Sequence, residues 1–224
     1  MANSKGLIQT SIARKVAMAL SALFLMIFLV QHFIINFSSV ISEELFNELS
    51  HFMGTNPLVQ FVLQPVLIFG VVFHFVMGFI LTLRNKQARP EKYAKYAGNA
   101  QSTWTSRNMI YSGLFILFFL IFHFIDFWIP EMVHKYVEFN PEDPNRYYDH
   151  VLHLFENPWR IASYVLAFIF LALHLNHGFQ SSFQSMGWRH KKYTPIIKVI
   201  GVVYSWFIPA GFIFIALYHY FTNN

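Results

Sequence analysis

The sequence has no cysteine, and only 12% of its 224 residues are charged. Without cysteine there is no disulfide, no thiolate-held iron–sulfur cluster and no cysteine-bearing zinc site. A metal would have to be held by histidine or carboxylate. A soluble domain carries about 25% charged residues, roughly twice this share. What takes their place is apolar: 55% of the chain is hydrophobic, phenylalanine alone supplies 27 residues, and the mean hydropathy is +0.42. Such a composition belongs in a bilayer. No internal repeat, low-complexity tract or second soluble domain is evident, so 1–224 reads as one membrane domain.

Apolar runs of about 20 residues mark membrane-spanning helices. Five are predicted, over about 16–38, 57–83, 107–129, 159–185 and 195–219. The fold class is therefore an all-α membrane protein, a bundle of five transmembrane helices. Asn56-Pro57, Asn157-Pro158 and Thr194-Pro195 each set a capping side chain before a proline suited to the first helical turn. Pro65 and Pro209 fall inside spans and should kink them. Trp104, Trp128, Trp159 and Trp188 lie near predicted ends, as an interfacial belt requires. The first span is too long for a signal-peptide core and lacks a small-residue cleavage site, so it is read as a mature helix.

Charge orients the bundle. Lys5, Arg14, Lys15, Arg84, Lys86, Arg89, Lys92, Lys95, Arg107, Arg189, Lys191, Lys192 and Lys198 gather on one side, against Glu91 alone. The other side holds Glu43, Glu44, Glu48, Asp126, Glu131, Glu138, Glu142, Asp143, Asp149 and Glu156, against Lys135, Arg146 and Arg160. By the positive-inside rule the N-terminus is cytoplasmic and the C-terminus external. The net charge of +5 then needs no nucleic-acid partner.

Histidine in hydrocarbon costs a few kcal/mol unless it has a partner or a task. At 1.5 Å of rise per residue, His32 and His123 both lie about 24 Å from the cytoplasmic ends of their helices. His74 and His174 lie about 14 and 16 Å deep on helices running the other way. Two pairs matched in depth result, an outer and an inner. Two neutral imidazoles fill both axial positions of a haem iron and leave no open site for oxygen, so such a haem carries electrons. Gly78 and Gly178 follow His74 and His174 by four residues, where a missing side chain lets a flat macrocycle approach; close helix packing would use them equally well. His177 has Ser181 at that offset and points about 60° away from His174, so it is read as a supporting or propionate-contacting group.

The segments "FLVQHF", "VFHFVMGF", "SRNMIYSG" leading to "LIFHF", "LALHLNHGF" and "MGW", taken in order, resemble the membrane anchor of bacterial succinate dehydrogenases and fumarate reductases, the single-subunit, five-helix, di-haem cytochrome b type. The resemblance covers nearly the whole chain. It implies two b-type haems, the inner on His74 and His174 and the outer on His32 and His123. It also implies flavoprotein and iron–sulfur subunits on the cytoplasmic face, a quinone (menaquinone by analogy) near the outer haem, and the bacterial inner membrane. Dicarboxylate chemistry would lie in the partner subunits, and a dimer of complexes is compatible with the type.

Quinone chemistry moves protons, so an acid near the outer haem is expected; Glu43, Glu44, Glu48 and Asp126 are the candidates, although each could equally be a solvated charge. Some fumarate-reducing relatives have a glutamate two residues before the fourth-helix ligand. Here that position is Ala172, which favours succinate oxidation. Ser106 and Arg107 suit the propionates of the inner haem, with His177 or Arg189 as further donors, and Arg160 suits the outer. His51, His134, His150, His153, His190 and His219 are placed in loops or at helix edges. Two other readings stand beside this one: a di-haem subunit of a hydrogenase, formate dehydrogenase or nitrate reductase complex, and a transporter with a histidine relay.

Overall fold

A computed structural model describes residues 11–87 and 104–223, with side chains from 12–87 and 108–223. Lys5, Arg89, Glu91, Lys92 and Lys95 lie outside the described residues, as do the side chains of Trp104, Ser106 and Arg107.

Among the described residues the chain forms seven helices and no strand. Helix α1 is Ser11–Ile41 and α2 is Glu43–Thr55. Helix α3 opens with a π turn, Val59–Leu63, and continues as Gln64–Gln87. Helix α4 runs Trp104–His123, passes through a π turn at Phe124–Trp128, and ends as Ile129–Tyr136. Short α5 (Arg146–Phe155) precedes α6 (Pro158–Ser185) and α7 (Thr194–Asn223).

Helices α1, α3, α4, α6 and α7 are each long and apolar enough to cross a membrane. Each exceeds its predicted span, α4 most of all, because polar residues at the ends extend the helix without breaking its hydrogen bonds. Spans of 28–30 residues rise about 42–45 Å, more than a hydrocarbon core of about 30 Å, so their ends reach the headgroup layer.

Local chemistry sets the boundaries. Asn56 Oδ1 accepts from the amides of Leu58 and Val59, and Asn157 Oδ1 from those of Trp159 and Arg160, so both asparagines cap as expected. Thr194 differs: its hydroxyl accepts from His190 N at 3.1 Å and closes the preceding turn. Pro65 and Pro130 each follow a π turn, which absorbs the backbone offset that a proline imposes. Pro209 sits fully buried inside continuous α7.

Helices α3, α1, α6 and α4 form a ring in that order, and α7 lies along α1 and α6. At Gly211 a Cβ would overlap the Phe33 ring, so only glycine allows α7 to come this close to α1. Tyr204 on α7 donates to the Met26 carbonyl of α1 at 2.8 Å. The main core, including Phe33, Tyr164, Phe168, Phe212 and Ile215, lies between α1, α6 and α7. Helices α2 and α5 close over one end of it through Phe46, Val151 and Phe155, with Tyr148 N donating to Asn47 Oδ1 at 2.8 Å.

Candidate paired-histidine sites

Each ring helix brings one buried-facing histidine to a partner on another. The rings of His74 (α3) and His174 (α6) have centroids 6.3 Å apart with planes at 67°. Those of His32 (α1) and His123 (α4) are 5.7 Å apart at 88°. These are the pairs that depth predicts. Two imidazoles bound to opposite sides of one metal, each with an N–metal bond of about 2 Å, set their centroids about 6 Å apart.

A serine hydroxyl holds each inner histidine. Ser21 Oγ donates to the Met18 carbonyl at 2.8 Å and lies 3.1 Å from His74 Nδ1. Ser112 Oγ donates to the Met109 carbonyl at 2.9 Å and lies 3.2 Å from His174 Nδ1. A hydroxyl has one proton, and here it goes to the carbonyl. The imidazole must therefore donate its Nδ1–H to the serine, which leaves Nε2 as a bare lone pair. A neutral histidine oriented through its other nitrogen is how metal-ligating imidazoles are held.

The ring helices carry a common spaced pattern. Helix α1 has Met18, Ser21, Phe28 and His32, and α4 has Met109, Ser112, Phe119 and His123, at identical spacing. Phe28 stacks on His32 at 5.4 Å, and Phe119 on His123 at 5.6 Å. Helices α3 and α6 share His74-x3-Gly78-Phe79 and His174-x3-Gly178-Phe179. The contacts repeat too: a Cβ at Gly78 would meet Met18 Cε, and one at Gly178 would meet Met109 Cε, both at 3.6 Å. The four ring helices are thus two like pairs, α1–α3 and α4–α6. From Ser21 to His32, as from Ser112 to His123, is 11 residues, about three turns and about 16 Å, so the two levels face the same way.

These features fit a haem at each level. A histidine pair offers two of the ligands that a six-coordinate iron takes, and a macrocycle would supply the other four. The glycine cradles are filled only by the flexible ends of two methionines, and Gly113 leaves His174 Cε1 room at 3.4 Å. At the outer level His123 Nδ1 is buried without a hydrogen-bond partner. Asn36 Nδ2 gives its good hydrogen bond to the His32 carbonyl at 2.8 Å and lies 3.5 Å from the ring nitrogens.

The remaining predicted residues divide. His177 Nε2 lies 3.0 Å from Ser181 Oγ, one turn below His174 on the same helix, and is not in the ring pair. Glu43, Glu44 and Glu48 are exposed; the Ser42 hydroxyl donates to Glu44 and holds its carboxyl below the usual range. Asp126 is the exception, only 3% exposed. It is ion-paired with Arg160 and accepts from Tyr164 Oη at 2.7 Å, so Arg160 and Asp126, predicted for separate tasks, occupy one cluster. The Tyr164 ring stands 6.4 Å from that of His123.

Two histidines assigned to loops or edges are structural. Pro130 brings no N–H to the Asp126 carbonyl four residues back, and His150 Nε2 lies 2.7 Å from that oxygen. Burial, with Arg146 beside it, lowers the His150 pKa below its ordinary 6.5. His219 is fully buried (0% exposed), with Nε2 2.8 Å from Ser39 Oγ, because α2 and α5 cover the end of α7. His51 lies 3.9 Å from Glu142, His134 takes a contact from Asn140, His153 lies 3.6 Å from Glu156, and His190 caps its own turn.

Sequence reasoning passes over Ser21, Ser112 and Gly113. The signal for the two serines is the doubled Met-x2-Ser-x6-Phe-x3-His spacing, of which Gly113 is not part. None of the family models, curated proteins or solved structures compared with this chain matches it.

Proposed function

We propose that the chain is the membrane-anchor cytochrome b of a succinate dehydrogenase or fumarate reductase type complex, carrying electrons between a cytoplasmic iron–sulfur subunit and a quinone in the bilayer. One observation carries this reading: two histidine pairs, each at a separation suited to one metal, stacked about 16 Å apart along five apolar helices. Bound at each pair, a b-type haem would supply a one-electron iron couple with both axial positions filled. His74 and His174 would hold the inner one through Nε2, with Ser21 and Ser112 fixing the rings. His32 and His123 would hold the outer one, with Phe28 and Phe119 stacked behind them.

The N-terminus is placed in the cytoplasm of a bacterial inner membrane, and the C-terminus outside. The lysine and arginine count supports this orientation: Arg14, Lys15, Arg84, Lys86, Arg189, Lys191, Lys192 and Lys198 stand towards one end, against Lys135, Arg146 and Arg160 towards the other. Ser106, Arg107, His177 and Arg189 remain the donors proposed for the inner propionates, and menaquinone the quinone.

The test is purification in mild detergent with haem and subunits measured on one sample. Two b haems per chain, seen in the dithionite-reduced spectrum, are expected together with a flavoprotein of dicarboxylate activity. Replacing His74 or His174 by alanine should remove the inner haem, and His32 or His123 the outer. Colourless protein would favour the transporter reading, and copurifying hydrogenase, formate dehydrogenase or nitrate reductase subunits the related complexes.

A further inference from the structure

The two helix pairs match residue for residue at their ligands, serines, stacked phenylalanines and glycines, and they part company at the outer end. In the α4–α6 pair stand Asp126, Arg160 and Tyr164. The corresponding positions of the α1–α3 pair are Ile35, Gln60 and Gln64. One half therefore makes this turn of the bundle without any charge. An ion pair taken out of water costs several kcal/mol per ion before its own attraction repays it, and an ionisable group at membrane depth generally serves a function. Packing alone does not call for the cluster.

Its placement is specific. The carboxylate of Asp126 is 3% exposed, while the Arg160 side chain is one-third exposed and reaches the end of α6. The pair thus lies as a fixed dipole, negative end inward. Tyr164 Oη donates to the inward carboxylate at 2.7 Å, and the Tyr164 ring lies 6.4 Å from His123 and 4.9 Å from Phe119. His150 occupies the Asp126 backbone carbonyl from above, so the π turn that presents the carboxylate is held from two sides. Among the described residues, the side chains within hydrogen-bonding distance of the His74 and His174 rings are the neutral Ser21 and Ser112.

We infer that the Asp126–Arg160–Tyr164 cluster tunes the potential of the outer haem more strongly than that of the inner one, with Asp126 as the positioning and charge-bearing residue. This rests on the haem reading above. A carboxylate held at low dielectric near one iron stabilises its oxidised, more positive state, and the effect is about two- to three-fold weaker at a second iron about 16 Å further away.

The experiment is a potentiometric titration of both haems in the purified holoprotein. Asp126→Asn should raise the outer potential, because it leaves the Arg160 charge unmatched. Arg160→Gln should lower it. Asp126→Glu and Arg160→Lys keep the charges and should stay near the native value, and in every variant the inner potential should move less than the outer one. Tyr164→Phe, which keeps both charges and removes one hydrogen bond to the carboxylate, should lower the outer potential by less than Arg160→Gln does. It decides the matter if Asp126→Asn fails to hold the outer haem. Shifts of the same sign for Asp126→Asn and Arg160→Gln, an unmoved outer potential, or equal movement of both haems would overturn the inference. Native protein without haem would instead overturn the reading beneath it.

Discussion

The Ser112 hydroxyl spends its only proton on the Met109 carbonyl and still lies 3.2 Å from His174 Nδ1. It can serve the imidazole only as an acceptor, which dictates the tautomer of the ring. Ser21 does the same for His74. The ligand atoms at the inner level are thus chosen by two residues that never touch a metal.

Ser112→Ala and Ser21→Ala should each weaken haem binding at the inner level by about 10–100-fold, the usual cost of losing a partner that orients a ligating histidine. Haem titration of apoprotein should show this loss for the inner haem only, since the outer pair has no such serine.

Gly211→Ala should destabilise the protein by about 1–3 kcal/mol, as overpacking of a close contact does. The added methyl would overlap the Phe33 ring and push α7 from α1. Thermal unfolding in detergent measures it. Phe33→Leu in the same chain should recover part of the loss, because the two sites share one contact.

Acid should loosen α5. His150 has a folded-state pKa below its ordinary 6.5, so below that pH the unfolded segment takes up a proton that the docked one resists. The His150 contribution is therefore complete above about pH 6.5 and is lost as pH falls through the depressed value. Amide exchange over 146–155, corrected for the intrinsic pH dependence, should accelerate on going from about pH 7 to about pH 5. In His150→Gln that acceleration should be absent.

Glu131 joins three elements: it pairs with Lys135, which also donates to the Gly54 carbonyl of α2, and with Arg146 of α5. Beside it, burial and the carboxylate push the Tyr147 phenol up to about 12. Glu131→Gln should cost about 1–3 kcal/mol, the value of hydrogen bonds to a charged group left unmet. Proteolysis of the loop between α4 and α5 should speed up accordingly. Exposed Glu138→Gln serves as the control, with little expected change.

Apolar run length revealed the five spans, and rise per residue revealed which histidines meet, because both depend on sums along a single helix. Asn56 and Asn157 were legible as caps for the same reason: their partners lie two and three residues on. What stayed hidden depends on neighbours across the bundle. A serine in an apolar helix usually bonds its own carbonyl, and Ser21 and Ser112 do so; their second contact exists only because α3 and α6 lie opposite. The sequence offers Asp126 as a proton-exchanging acid or a solvated charge and Arg160 as a propionate donor, since nothing local says that the π turn brings the two together. His219 seemed peripheral because the helices that bury it are separate in sequence and amphipathic. The shared pattern of the two helix pairs is hard to see in the sequence because its matching residues are spread through unlike aliphatic filler.

Two helices measure the same 11-residue interval between serine and histidine, and that interval acts as a ruler. One residue inserted there in α1 would turn His32 about 100° away from His123 and advance it about 1.5 Å. Lipid-facing side chains along these stretches, such as exposed Ile27 and Phe118, can be exchanged among apolar types, but the count cannot change in one helix alone. Length, more than composition, is what the spacing between the two levels makes inflexible.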